Sequence, residues 1–84
     1  MSDKYLVTTR GIRLTEGVEV IDEIARNLGE ATGFDAQFVE MGKGHWGVVV
    51  CLATVMGNEH DLDAELEPFN AKWPNYRASY VFVL

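Results

Sequence analysis

An α+β sandwich is predicted by the way these 84 residues alternate between two hydrophobic periods. Val18, Ile21, Ala25 and Leu28 recur at helical spacing, with Ile24 widening the stripe. His45 to Met56 is the longest apolar run and holds three consecutive valines, which favours a central strand. Lys4–Arg10 near the start and Tyr76–Leu84 at the end are rich in β-branched and aromatic residues, and both read as strands.

The elements follow in order. The first strand, Lys4–Arg10, is closed by Gly11. Thr15 is the expected N-cap of helix one. Its capping box is incomplete because Val18 stands three residues on, while Glu16 and Glu19 suit the first turn. Gly29 is the expected C-cap, and Gly33 closes the next turn. Phe34–Met41 alternates as a half-buried strand and is joined to His45–Met56 through Gly42-Lys43-Gly44. Glu59–Trp73 has Leu62, Leu66, Phe69 and Trp73 on one helical face, with Pro68 expected to kink or split the helix. Pro74-Asn75 ends it and Tyr76–Leu84 follows. At this length, β-α-β-β-α-β suits a single ferredoxin-like domain over 1–84. Four antiparallel strands would run 4-1-3-2, with two helices on one face.

Composition narrows the function classes. Seven Lys and Arg against thirteen Asp and Glu give a net charge of −6, which argues against general affinity for nucleic-acid phosphates. A hydrophobic content of 48% is too high for a disordered chain. No stretch approaches the ~20 apolar residues of a membrane span, and the polar start Met1-Ser2-Asp3-Lys4 is no signal peptide, so the expected location is the cytoplasm. Cys51 is the single cysteine, which excludes an internal disulfide or a cysteine-rich zinc site. No catalytic residues, metal or cofactor are expected. His45 and His60 fall at opposite ends of the long strand, and Cys51 reads as a buried small hydrophobe.

Three surfaces carry the functional expectations. The fold would gather Arg10, Arg13, Lys43, Lys72 and Arg77 at one tip with Trp46, Trp73 and Tyr76. At the same tip, Arg10, Arg13, Lys43 and His45 form a candidate anion site. The strands carry apolar residues on both faces although two helices cover only one, so a sheet-face interface is expected through Tyr5, Trp46, Val48, Val50, Tyr80 and Phe82. The acidic run Glu59, Asp61, Asp63, Glu65 and Glu67 is a candidate face for a basic partner protein.

Sequence motifs add little to this. Gly42-Lys43-Gly44-His45-Trp46-Gly47 matches G-x-G-x-x-G, but a strand follows where a dinucleotide site needs a helix. The stretch Lys43 to Val50 resembles the third-strand signature of the RNA-recognition motif in its opening Lys-Gly and in Val48. His45 and Gly47 stand at its central stacking positions, which removes the rings that would hold bases. Arg10 and Arg13 lie where acylphosphatases, which share the predicted fold, bind phosphate. No Asn lies between Gly42 and Met56 to complete that chemistry. In size and charge the chain resembles small acidic phage-encoded inhibitors, anti-CRISPR proteins among them. The function expected is a non-catalytic protein-interaction module that uses the open sheet face, the acidic second helix, or both. An inhibitor of a basic, nucleic-acid-binding surface is one form of it, and a homodimer through the sheet is expected. The alternative is a dimeric ferredoxin-like enzyme that binds a small molecule or anion.

Overall fold

A computed structural model describes residues 2–56 and 60–84. Along the chain run β1 (Ser2–Thr8), β2 (Ile12–Arg13), a 3-10 turn (Leu14–Glu16), α1 (Val18–Thr32), β3 (Ala36–Glu40), β4 (Trp46–Met56), α2 (His60–Lys72), a second 3-10 turn (Pro74–Tyr76) and β5 (Ser79–Val83). The architecture is α+β, with two helices and an antiparallel sheet. The apolar run forms the spine of that sheet. β4 pairs with β1 and β2 on one side and β3 on the other, and β5 pairs with β1.

The sheet has five strands where four are expected from sequence, because the first strand is interrupted. Thr8 registers with Val50, and Ile12 with Gly47. Four steps along β1–β2 therefore face three along β4, the signature of a bulge. Thr9 occupies this break. Its backbone N–H donates to the Val49 carbonyl, while its hydroxyl accepts from the Val49 N–H at 3.0 Å. The threonine side chain thus stands in for a ladder carbonyl at a buried position. Thr9→Val is expected to leave the Val49 N–H unpaired and cost about 1–3 kcal/mol in urea denaturation. Thr9→Ser should recover most of the loss, because it restores the hydroxyl.

Both helix-one boundaries differ from the sequence reading. Thr15 lies inside the 3-10 turn, and Gly17 is the N-cap. At the other end α1 runs through Gly29 to Thr32. Gly33 is the C-cap, in the left-handed conformation that favours glycine, and its N–H donates to the Gly29 carbonyl at 2.8 Å. Ile21, Ile24 and Leu28 are the buried apolar face of α1. α2 is one continuous helix through Pro68. Proline has no N–H to offer the Ala64 carbonyl. Ala64 and Pro68 are both on the exposed side, where water can serve that carbonyl. Leu62, Leu66 and Phe69 seat α2 in the core.

Register settles which strand faces the helices cover. Val49, Cys51, Ala53 and Val55 of β4 are buried in one cluster with Val7 and Tyr5 of β1 and the apolar faces of both helices. Tyr5 registers with Ala53 and with Phe82, and Val7 registers with Tyr80. Tyr80 and Phe82 therefore lie on the helix side, each packing edge-on against the Tyr5 ring with centroids 5.6 Å apart. Tyr80 also donates to Asp63 of α2 at 2.6 Å. Of the six residues expected on the free sheet face, Trp46, Val48 and Val50 are there, whereas Tyr5, Tyr80 and Phe82 are on the opposite one. The expected set joined side chains from two faces.

Candidate docking face and tip pocket

The face away from the helices is formed by alternate residues of each strand. Leu52 of β4 registers with Leu6 of β1, which registers with Val81 of β5, so three large aliphatic side chains cross the sheet in a row. Val48 pairs with Val39 of β3 beside them. Leu52 is 50% exposed and Val81 62%. Asp3 and Glu40 take the alternate positions, opposite Val55 and Gly47, so no carboxylate of a described strand belongs to the free face. Its charged residues are Lys4, beside Thr54 and Val83, and Arg13, beside Trp46. Sequence parity places Leu52 with Trp46, Val48 and Val50. Leu6, Val39 and Val81 could be added only once cross-strand partners were known.

At one end of this face two turns meet. Lys43 and Gly44 both have positive φ, as the centre of a tight hairpin requires, and the His45 N–H closes it onto the Gly42 carbonyl at 2.8 Å. The Met41 and Gly42 N–H groups both donate to the Trp46 carbonyl, and the Leu14 N–H donates to the His45 carbonyl. These bonds hold the β3–β4 turn against the segment after β2. The Trp46 indole bridges Gly42 and Gly11. A side chain at Gly42 would overlap Nε1 and Cδ1 of the indole, and one at Gly11 would come within 3.2 Å of Cε3. An open pocket of about 430 Å3 lies here, lined by Gly11, Arg13, Thr15, His45 and Trp46.

The expected basic tip is thereby divided. Arg13 and His45 share the pocket, while Arg10 and Lys43 of the same candidate anion site do not line it. Lys72 turns away to Glu23 of α1 at 3.4 Å and lies 5.7 Å from the centre of the Trp73 ring. Trp73 donates to Asn27 at 3.0 Å. Arg77 lines a separate depression with Asp63, Glu67 and Tyr80. Tyr76 has its phenol pushed up from the ordinary range, first by partial burial and then by the Glu16 carboxylate. Thr15, which the sequence offers only as a cap, joins the pocket because the cap lies elsewhere.

The acidic run is not a single face. At 100° per residue, Asp61 and Glu65 fall on one flank of α2, and Asp63 and Glu67 on the other, separated by the buried Leu62–Leu66 stripe. Asp63 accepts the Tyr80 hydroxyl, and Glu59 lies outside the described residues. Cys51 is buried, 3.1 Å from the Thr32 hydroxyl. Desolvation raises its thiol pKa, against the opposing pull of Thr32, and the Asp35 charge adds to the rise. A protonated, sealed thiol is a packing group rather than a nucleophile. Among the described residues, no group of three or more His, Cys, Asp or Glu is gathered as a metal site would need. No described helix is long and apolar enough to cross a membrane. Compared with family models, with curated proteins and with solved structures, the chain matches none of them.

Proposed function

We propose that this chain is a non-catalytic protein-interaction module that works as a homodimer, with the free sheet face as the interface. The observation that carries this reading is the row Leu6, Leu52 and Val81, exposed on a face to which no described strand contributes a carboxylate. Counting β1 and β2 as one strand bent at Thr9 also supports a ferredoxin-like order for the sheet.

Area and charge favour a second copy as the occupant. Thirty strand residues, each covering about 16 Å2 of sheet plane, make a face of roughly 500 Å2 before side-chain relief is added. That is close to the ~600–1,000 Å2 per partner of a stable interface. A chain of net charge −6 repels its own copy. The free face is where two copies can meet without opposing strand carboxylates, and a twofold interface needs such a self-complementary patch.

The test is solution mass by size exclusion with light scattering. The wild type is expected to run as a dimer and Leu52→Lys as a monomer with an unchanged circular-dichroism spectrum, since the substituted side chain is half exposed. A wild-type monomer at high concentration overturns the reading.

A further inference from the structure

The tip pocket lies at one end of the free sheet face, where Arg13 registers with Trp46, and its lining chemistry points to a ligand of its own. We propose that it binds a small ligand made of a planar aromatic ring carrying an anionic group, with the ring on Trp46 and the anion on Arg13 and His45.

Three observations lead there. The first is the platform. Trp46 is 41% exposed although it belongs to the central strand, and its indole rests against two glycines, where a side chain at Gly42 would overlap it and one at Gly11 would press on it. Such a ring offers its free face for stacking, which is favourable with any flat π-system. The second is the rim. Arg13, Thr15 and His45 surround the pocket, and no carboxylate among the described residues lines it. No hydrogen bond or ion pair joins these three side chains to another described residue, so their donors are available to a ligand. A guanidinium forms paired hydrogen bonds with carboxylate or phosphate oxygens, which makes Arg13 the principal anchor. The third is rigidity. Backbone hydrogen bonds at Leu14, Met41, Gly42 and His45 fix both walls before any ligand arrives, which reduces the ordering cost of binding. The pocket volume, about 430 Å3, lies in the ordinary range for small-molecule sites.

The experiment follows the Trp46 indole N–H resonance in two-dimensional NMR, at millimolar concentrations of four probes. AMP carries a ring and a phosphate, and indole-3-carboxylate carries a ring and a carboxylate. Adenosine has the ring alone and inorganic phosphate the anion alone. At least one ring-bearing anion is expected to shift the resonance and to bind about tenfold more tightly than adenosine or phosphate. Which of the two binds identifies the anionic group. Arg13→Ala is expected to weaken that binding at least tenfold. Gly42→Ala should abolish the shift by forcing the indole off its seat, while the amide spectrum away from the tip stays folded. The proposal is overturned if neither ring-bearing anion moves the resonance, if adenosine or phosphate binds as well, or if Arg13→Ala leaves affinity unchanged. Repeating the titration on Leu52→Lys keeps the result separate from the oligomeric state.

Discussion

Gly47→Ala is expected to destabilise the protein by about 2 kcal/mol or more, the cost of overfilling a packed interior. For a domain of this size that lowers Tm by roughly 8–16 °C. Gly47 is buried on the central strand, opposite Ile12 of β2 and Glu40 of β3. A methyl group there would overlap the Val39 carbonyl oxygen and come within 2.5 Å of the Phe38 ring. The ring can rotate, but the carbonyl belongs to the β3 backbone and can give way only if the strand moves. The strain should therefore appear at one place. Thermal denaturation should show the lowered Tm, and hydrogen exchange should rise at β3 before it rises at β1. Adding Phe38→Ala should not restore stability. If it did, the ring rather than the strand backbone would set the cost.

Phe69→Ala should remove about 3–5 kcal/mol, the usual range for emptying a buried aromatic site. Phe69 is 3% exposed and, with Leu62 and Leu66, is one of three buried apolar residues that seat α2. The helix is short of other anchors, since most of its remaining residues are exposed acids or alanines and Pro68 interrupts its hydrogen-bond ladder. Chemical denaturation measures the loss. Because a small domain holds only about 5–10 kcal/mol in total, the variant should sit close to its unfolding midpoint at room temperature. A loss below about 1 kcal/mol would show that the site collapses around the gap.

Much of the architecture is legible locally. The Val18–Leu28 periodicity marks α1, and the His45–Met56 run marks β4 to within a residue. The Leu62, Leu66 and Phe69 spacing marks α2, including the choice of helix over an edge strand. The errors arise where a local signal has two uses. Thr15 has the chemistry of an N-cap, but the chain spends it in a 3-10 turn and begins the helix at Gly17. Gly29 has the chemistry of a C-cap, yet it lies within α1, where its surface closes on the Phe34 carbonyl. Thr9 carries no visible mark of a bulge. Its hydroxyl becomes a ladder acceptor only because the Val49 N–H of a distant strand arrives beside it.

The candidate surfaces divide along the same line. Alternation in Trp46–Met56 separates Trp46, Val48, Val50 and Leu52 from Val49, Cys51, Ala53 and Val55, and the structure keeps both sets. Both sets are apolar, and two helices packed on one side of the sheet cover only one of them. What residue order could not decide is how the faces of different strands join. Side chains alternate with a period of two, so shifting a strand by one residue turns its whole set over. Tyr5, Tyr80 and Phe82 share the helix side because Tyr5 registers with Ala53 and Phe82 and Val7 with Tyr80, while Leu6, Leu52 and Val81 were left on the other face. Periodicity is a property of the nearest neighbours along the chain and is written in the sequence. Register is a contact between residues tens of positions apart, and only the folded sheet supplies it.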